Sequence, residues 1–435
     1  MEALLVSYGV DWLNLLVRWL HLITGIAWIG ASFYFVWLDN SIRPPKPGSE
    51  LARKGVSGEL WAVHGGGFYN PQKYLVAPGE LPEELHWFKW EAYATWISGF
   101  AMLFIVYYFN ASAMMVDKSI ADLSAGQSIA VGLGTLAAGW TVYDLLCRSA
   151  LGKRDGLLGI VMFCFIVGAA FMLTHLLSGR AAYIHVGAMI GTIMVGNVLM
   201  VIIPGQRKLV EAMKAGKSPD PSYGKKAKQR SVHNNYFTLP VLFIMISNHY
   251  AMTYAHSYNW LILAAIMAAG VLIRHFFNLR HAGKVSLGYP VAGVALLLAV
   301  AVAIAPRPMP QPVASAPPAT TATAATAPGA SAMAAASPAT AAAVPAAAGA
   351  APDIAQVQAV IMQRCAACHS DRPTQPGFAS APAGLMLQTP DLIRQHAAKI
   401  YQRAVQTKDM PLANMTQMTD AERSLIGNWF EAGAK

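Results

Sequence analysis

The chain has 435 residues, of which 55% are hydrophobic and 12% charged, and its formal net charge is +10. Soluble domains carry about 25% charged residues, so this composition excludes an ordinary soluble globule and a disordered chain. The basic excess is read as cytoplasmic loops under the positive-inside bias rather than a nucleic-acid surface, and the four cysteines are too few for a disulfide scaffold.

Hydrophobic runs of about 20 residues, the length that spans a bilayer, fall at 12–37, 88–109, 127–147, 157–177, 182–203, 237–255, 259–279 and 287–305. The first lacks a basic segment before it and reads as a retained helix. The expected fold is all-α: a polytopic membrane bundle of about eight helices, with a small helical domain appended. Lys and Arg concentrate in alternate loops: Arg43, Lys46, Arg53 and Lys54; then Arg148, Lys153 and Arg154; then eight between Arg207 and Arg230; then Arg280 and Lys284. Loops 1, 3, 5 and 7 are therefore expected in the cytoplasm and both termini outside, as in a multi-pass protein of the bacterial inner membrane with a periplasmic tail. Membrane lipid is an expected partner and nucleic acid is not.

Residues 306–352 hold 21 Ala and 10 Pro with Arg307 as the only charge, which predicts an extended linker. Charge returns at Asp353, so the predicted division is 1–305, linker 306–352, and a compact domain at 353–435. That domain opens on Arg364-Cys-Ala-Ala-Cys-His369. Two cysteines three positions apart followed by histidine are the pattern of covalent haem attachment, with His369 as the proximal ligand. A zinc knuckle would need a second ligand pair, and a redox dithiol a strand–helix frame; neither is present. Met386, Met410, Met415 and Met418 are candidates for the sixth ligand. Met410-Pro-Leu-Ala-Asn414, ahead of the capping-box sequence Thr419-Asp-Ala-Glu422, resembles small class I cytochromes c, in which the ligand Met precedes Pro in a loop before the last helix. That resemblance implies Met410 as the ligand, with Met415 the alternative, and a class I cytochrome c-like domain. One covalent haem c is expected.

Histidines occur at two depths. His21, His175, His185 and His249 fall in the outer part of the predicted bundle, and intramembrane ionisable groups are candidates for function. His21 and His249, the deeper two, are expected to ligate haem b, with one or two such haems; the alternative is that each is a hydrogen-bonded core residue. Towards the cytoplasm lie His64 within Trp61-Ala-Val-His-Gly-Gly-Gly-Phe-Tyr69, His86 and Lys89 within Leu85-His-Trp-Phe-Lys-Trp-Glu91, His233-Asn-Asn-Tyr236 and Arg274-His275. The triple glycine would admit a planar ligand, although no phosphate-loop pattern follows it. The surrounding tryptophans also suit an interfacial belt.

Trp28-Ile-Gly-Ala-Ser-Phe-Tyr34, the two stretches around His64 and His86, and Asn248-His-Tyr250 resemble the bacterial membrane-bound urate oxidase (urate hydroxylase) family with a C-terminal cytochrome c domain. The resemblance covers nearly the whole chain. It implies oxidation of urate to 5-hydroxyisourate, with electrons passing through haem to cytochrome c and on to a respiratory-chain acceptor such as a terminal oxidase. A planar urate anion calls for aromatic stacking, a cation such as Arg274 or Lys89, and a base such as His64 or His86. Two other readings are weighed: a quinol-oxidising electron-transfer protein without a purine site, and a transporter or metal-handling protein with a fused sensor domain.

Overall fold

The computed structural model describes residues 2–118, 120–305, 352–375, 381–382 and 385–435. The expected Ala/Pro linker at 306–352 lies outside the described residues except for its last position. One compact unit takes residues up to Ala305 together with Thr407–Met415, and a second takes the remaining C-terminal segments.

The first unit is mostly helical. Helix α1 (Glu2–Ser41) is followed by a segment of short strands, β1 (Val56–Glu59), β2 (Ala62–His64), β3 (Gly67–Tyr69) and β4 (Gln72–Tyr74). β1 pairs antiparallel with β4 and β2 with β3. This departs from the all-α expectation, because Gly65 and Gly66 both hold positive φ (58° and 81°) and supply a two-residue hairpin turn that helical periodicity cannot show. Then come α2 (Trp90–Leu103), continued by a π turn at Phe104–Tyr108, α3 (Ala125–Arg148), α4 (Asp155–Thr174) and α5 (Gly179–Gly196). A second π turn, Asn197–Ile202, carries α5 into α6 (Ile203–Lys214). Helices α7 (Pro221–Ile246), α8 (Asn259–His281) and α9 (Gly288–Ala303) complete the unit.

Among the described residues, five helices are long and apolar enough to cross a membrane: Trp12–Ser41, Ala125–Arg148, Asp155–Thr174, Gly179–Lys214 and Asn259–His281. Gly288–Ala303 is apolar but shorter. These helices are consistent with a multi-pass membrane bundle. The expected spans 88–109 and 237–255 do not meet the same measure, for different reasons. α2 has only 14 residues before its π turn. α7 begins 16 residues earlier than the expected 237, at the Asp220 N-cap with Pro221 in its first turn, so its first half is the charged stretch from Lys225 to Arg230. It ends at Ile246, where Ser247–His249 tightens into a 3-10 turn. Leu13, Leu16, Trp19, Leu20, Leu22, Ile23 and Ile26 on α1 are all more than 45% exposed, a band of apolar surface that suits lipid and not water.

α5 is the centre of the bundle, with Tyr183, His185, Val186, Met189, Ile190 and Ile193 all fully buried. α3 crosses it closely. A side chain at Gly132 would run into the His185 ring, and one at Gly139 into Met189. α8 meets α7 where Gly270 packs on Leu239 and Pro240.

The second unit contains α10 (Ile354–Arg364), α11 (Pro390–Gln395) and α12 (Asp420–Glu431) around Val357, Ile361, Ile393, Ile426 and Trp429. The expected capping box at Thr419 is present: Thr419 Oγ1 accepts from the Glu422 N–H, and Glu422 accepts from the Thr419 N–H. Arg364 then clamps the start of α12, its Nε and Nη2 donating to Glu422 and its Nη1 to the Thr416 carbonyl.

Candidate functional site

The residues flagged in the sequence do not gather at one point. His64 ends β2 opposite Gly67 and is exposed, and no atom lies within 4 Å of a Cβ built at Gly65 or Gly66. The glycine run therefore shapes the hairpin and leaves open space beside it. His86 is exposed and meets Phe88 edge-on at 4.6 Å; Phe88 in turn meets Phe35 of α1 at 4.8 Å. Lys89 is the N-cap residue of α2. Arg274, by contrast, is 5% exposed.

Arg274 stands in a polar cluster built by α7 and α8. On α8, Arg274, Asn278 and His281 are spaced i, i+4, i+7 and so share one helix face. Arg274 Nε and Asn278 Nδ2 both donate to Asn235 Oδ1 of α7, at 3.0 and 2.9 Å. The guanidinium carbon lies 4.0 Å from the centre of the Phe33 ring of α1. Four buried atoms of this cluster have no hydrogen-bond partner among the described residues: Arg274 Nη2, Asn235 Nδ2, Asn278 Oδ1 and His281 Nδ1. A buried polar group without a partner costs about 1–3 kcal/mol, so four together in one place mark a position where a partner belongs.

A second buried polar network stands on α3, α7 and the π turn after α5. Arg230 pairs with Asp144 at 2.7 Å and donates to Asn197 Oδ1 at 3.2 Å. Asn197 donates to Tyr143 Oη and to Asn234 Oδ1, and Asn234 donates to the Met194 carbonyl. His233 Nδ1 meets Tyr143 Oη at 2.8 Å. None of these side chains leaves a buried polar atom without a partner.

Among the outer histidines, His185 is fully buried and uses both ring nitrogens, Nδ1 on the Ala181 carbonyl and Nε2 on Tyr108 Oη. It is a satisfied core residue. His175 and His249 are exposed. His21 is half-buried, with Nδ1 within 3.0 Å of the Thr95 carbonyl and 3.2 Å of Ser98 Oγ. It lines a cavity of about 250 Å3 between α1, α2, α5 and α7, together with Arg18, Trp28, Trp96, Tyr107 and Asn248; His249 is not in that lining.

In the second unit, Cys365 caps the end of α10, and the His369 N–H donates to the Cys365 carbonyl at 2.8 Å. His369 Nδ1 lies 3.0 Å from the Leu385 carbonyl. Cys365 and Cys368 are free thiols. Burial pushes Cys365 up to about 12 and raises Cys368 as well, so both are protonated near neutrality. Met410 falls with the first unit. Among the described residues, no group of three or more His, Cys, Asp and Glu side chains could hold a metal ion. The expectation of haem, iron and metal binding is corrected accordingly: neither haem c on Cys365, Cys368 and His369 with Met410, nor haem b between His21 and His249, is carried forward.

Both buried networks and the His21 cavity lie within residues 7–305, which match the family model described as urate oxidase N-terminal. The chain belongs to the urate oxidase N-terminal family. The match covers well over half of the sequence, including every first-unit residue flagged above except Met410. No curated protein and no solved structure matches this chain. Within this family's domain, Arg274 is the flagged residue that is both buried and incompletely paired. Asn235 was visible in sequence only inside the His233-Asn-Asn-Tyr236 stretch, while Asn278 and His281 carried no signal beyond their spacing from Arg274.

Proposed function

We propose that the protein is a membrane-bound urate oxidase that converts urate to 5-hydroxyisourate and delivers the electrons to an acceptor of the respiratory chain. Residues 1–305 form the urate-oxidising domain and 353–435 an appended helical domain. The observation that carries this reading is the set of open groups around Arg274 in a chain of the urate oxidase N-terminal family. Urate is a planar anion with carbonyl acceptors and ring N–H donors along its edges. Arg274 Nη2 and Asn235 Nδ2 are donors for its oxygens, Asn278 Oδ1 is an acceptor for a ring N–H, and Phe33 holds the guanidinium plane in place.

His281, whose Nδ1 is open one turn beyond Asn278, is the proposed proton acceptor as two electrons leave and water adds to the purine. Balanced, urate and water give 5-hydroxyisourate, two electrons and two protons. His64, His86 and Lys89 sit on outward-facing segments and are proposed to line the approach from the cytoplasmic side, the side of the Lys- and Arg-rich loops. The test is urate oxidation by purified protein with an artificial electron acceptor. Arg274→Gln should reduce turnover about 10- to 100-fold, the worth of a charged hydrogen bond. Turnover equal to wild type in that variant would remove Arg274 from the site.

A further inference from the structure

The cavity beside His21 is separate from the Arg274 cluster and has a different character. Along α1 its lining runs from Arg18 to Ile29, about 16 Å at the helical rise. Its walls are apolar: Leu22, Ile26, Leu103, Val241 and Met245, with Trp96 and Phe100 stacked at 5.4 Å and 16° as a flat slab. Polar atoms lie towards one end. The Thr95 carbonyl can only accept, so His21 Nδ1 carries the proton and Nε2 is left as an acceptor, with no partner among the described residues. Tyr107 Oη donates to Asn248 Oδ1 at 3.1 Å, leaving Asn248 Nδ2 as a free donor among the described residues. One open acceptor, one open donor, the Arg18 guanidinium, a flat aromatic wall and an apolar trough suit a ring that carries electron-rich oxygens and a hydrocarbon tail.

We propose that this cavity seats the ring of a membrane quinone, which accepts the electrons taken from urate; the acceptor role rests on the function proposed above, while the binding site stands without it. The volume of about 250 Å3 sits just below the ~300–1,000 Å3 of ordinary small-molecule pockets. It suits one substituted ring, with the tail leaving past the lipid-exposed side of α1. An acyl chain alone would leave His21 Nε2 and Asn248 Nδ2 unmatched, which is costly in an apolar setting. A quinone carbonyl accepts from Asn248 Nδ2, and after reduction the opposite hydroxyl donates to His21 Nε2. Electrons balance: urate and water yield 5-hydroxyisourate, two electrons and two protons, and the quinone takes up two electrons and two protons to become the quinol. Oxygen is not consumed and no peroxide forms. The inner end of the cavity, at Ile29, is one helical turn from Phe33 of the Arg274 cluster, so one helix carries both sites.

The experiment is a tryptophan-fluorescence quenching titration with decyl-ubiquinone, using full-length protein in bilayer nanodiscs without urate. Trp28 and Trp96 line the cavity and report on a ring placed there. Gly191 also lines it, and a Cβ built there meets nothing within 4 Å, so Gly191→Leu fills the space without displacing the backbone. Saturable quenching should weaken at least about 10-fold in Gly191→Leu and in Asn248→Ala and stay unchanged in Arg274→Gln. Unchanged quenching in Gly191→Leu would overturn the proposal. So would displacement of the quinone by equimolar decanol, which shows a site that reads only the tail, or by urate, which shows one shared site. If the quinone binds as expected but urate does not reduce it, the cavity assignment stands and the urate reading fails.

Discussion

The two buried arginines of the helical bundle have opposite surroundings. Arg230 is 4% exposed and Arg274 5%, and each donates to an asparagine oxygen, Arg230 to Asn197 of the π turn after α5 and Arg274 to Asn235 of α7. Arg230, however, faces the carboxylate of Asp144, and its network closes with no polar atom left over. Arg274 has no carboxylate partner among the described residues; it faces an asparagine and a phenyl ring, and its cluster leaves four polar atoms open. The first arrangement completes itself and so locks α3 to α7. The second is incomplete on its own, and an anion with matching donors and acceptors would complete it. Burial and charge do not distinguish a structural arginine from a binding one; the unfilled valences around it do.

The comparison breaks most severely at Arg230. Removing one member of a buried ion pair costs about 3–5 kcal/mol. Arg230→Ala should fall near the low end, because Arg148 still pairs with Asp144, and the loss should appear as a lower melting temperature and poor recovery from membranes. Arg274→Gln should do the reverse: stability should hold within about 1 kcal/mol, since no carboxylate is orphaned, while urate turnover drops about 10- to 100-fold. Phe33→Leu should have a smaller effect. It removes a cation–π contact worth about 0.5–2 kcal/mol, so the apparent urate affinity should weaken several-fold with little change in maximal rate.

The smallest effect is expected in the second unit. There Glu422 gives a pH-dependent contrast. Partial burial raises its pKa, but hydrogen bonds from Arg364 and Thr419 outweigh this and leave the carboxyl below its ordinary 4.5. A depressed folded-state value means the pairing adds stability above about 4.5, and that stability is lost as pH falls through the folded value. The protection of α12 amides, taken relative to their intrinsic exchange rate at each pH, should therefore fall below pH 4.5 in the wild type. Glu422→Gln should show part of that loss of protection already at pH 7, on the scale of about 1 kcal/mol.

Much of the bundle was legible because apolar runs of spanning length carry their own signal, as at 127–147, 157–177 and 259–279, which differ from α3, α4 and α8 by three residues or fewer at each end. The misses have physical causes. The start of α7 is charged, so hydropathy ended the helix where the chain did not, and Ser247-Asn-His249 ended it where hydropathy ran on. Gly65 and Gly66 read as room for a ligand, and periodicity could not show that their positive φ values also build a hairpin turn. The Cys365-Ala-Ala-Cys368-His369 segment suggested a metal centre because local spacing says nothing of how many further donors converge on it. Arg274 stood out as a lone cation in an apolar run, yet its role depended on Asn235, 39 residues away, and no periodicity records which buried polar atoms remain unpaired.

The most direct measurement is equilibrium binding of radiolabelled urate to full-length wild type, Arg274→Gln and Arg230→Gln in nanodiscs, with each result scaled to the folded fraction. Wild type should bind saturably, Arg274→Gln should bind at least about 10-fold more weakly, equivalent to about 1.4 kcal/mol, and the folded fraction of Arg230→Gln should bind like wild type. Equal binding by wild type and Arg274→Gln, or loss of binding in Arg230→Gln alone, would contradict the assignment of the open cluster as the anion site.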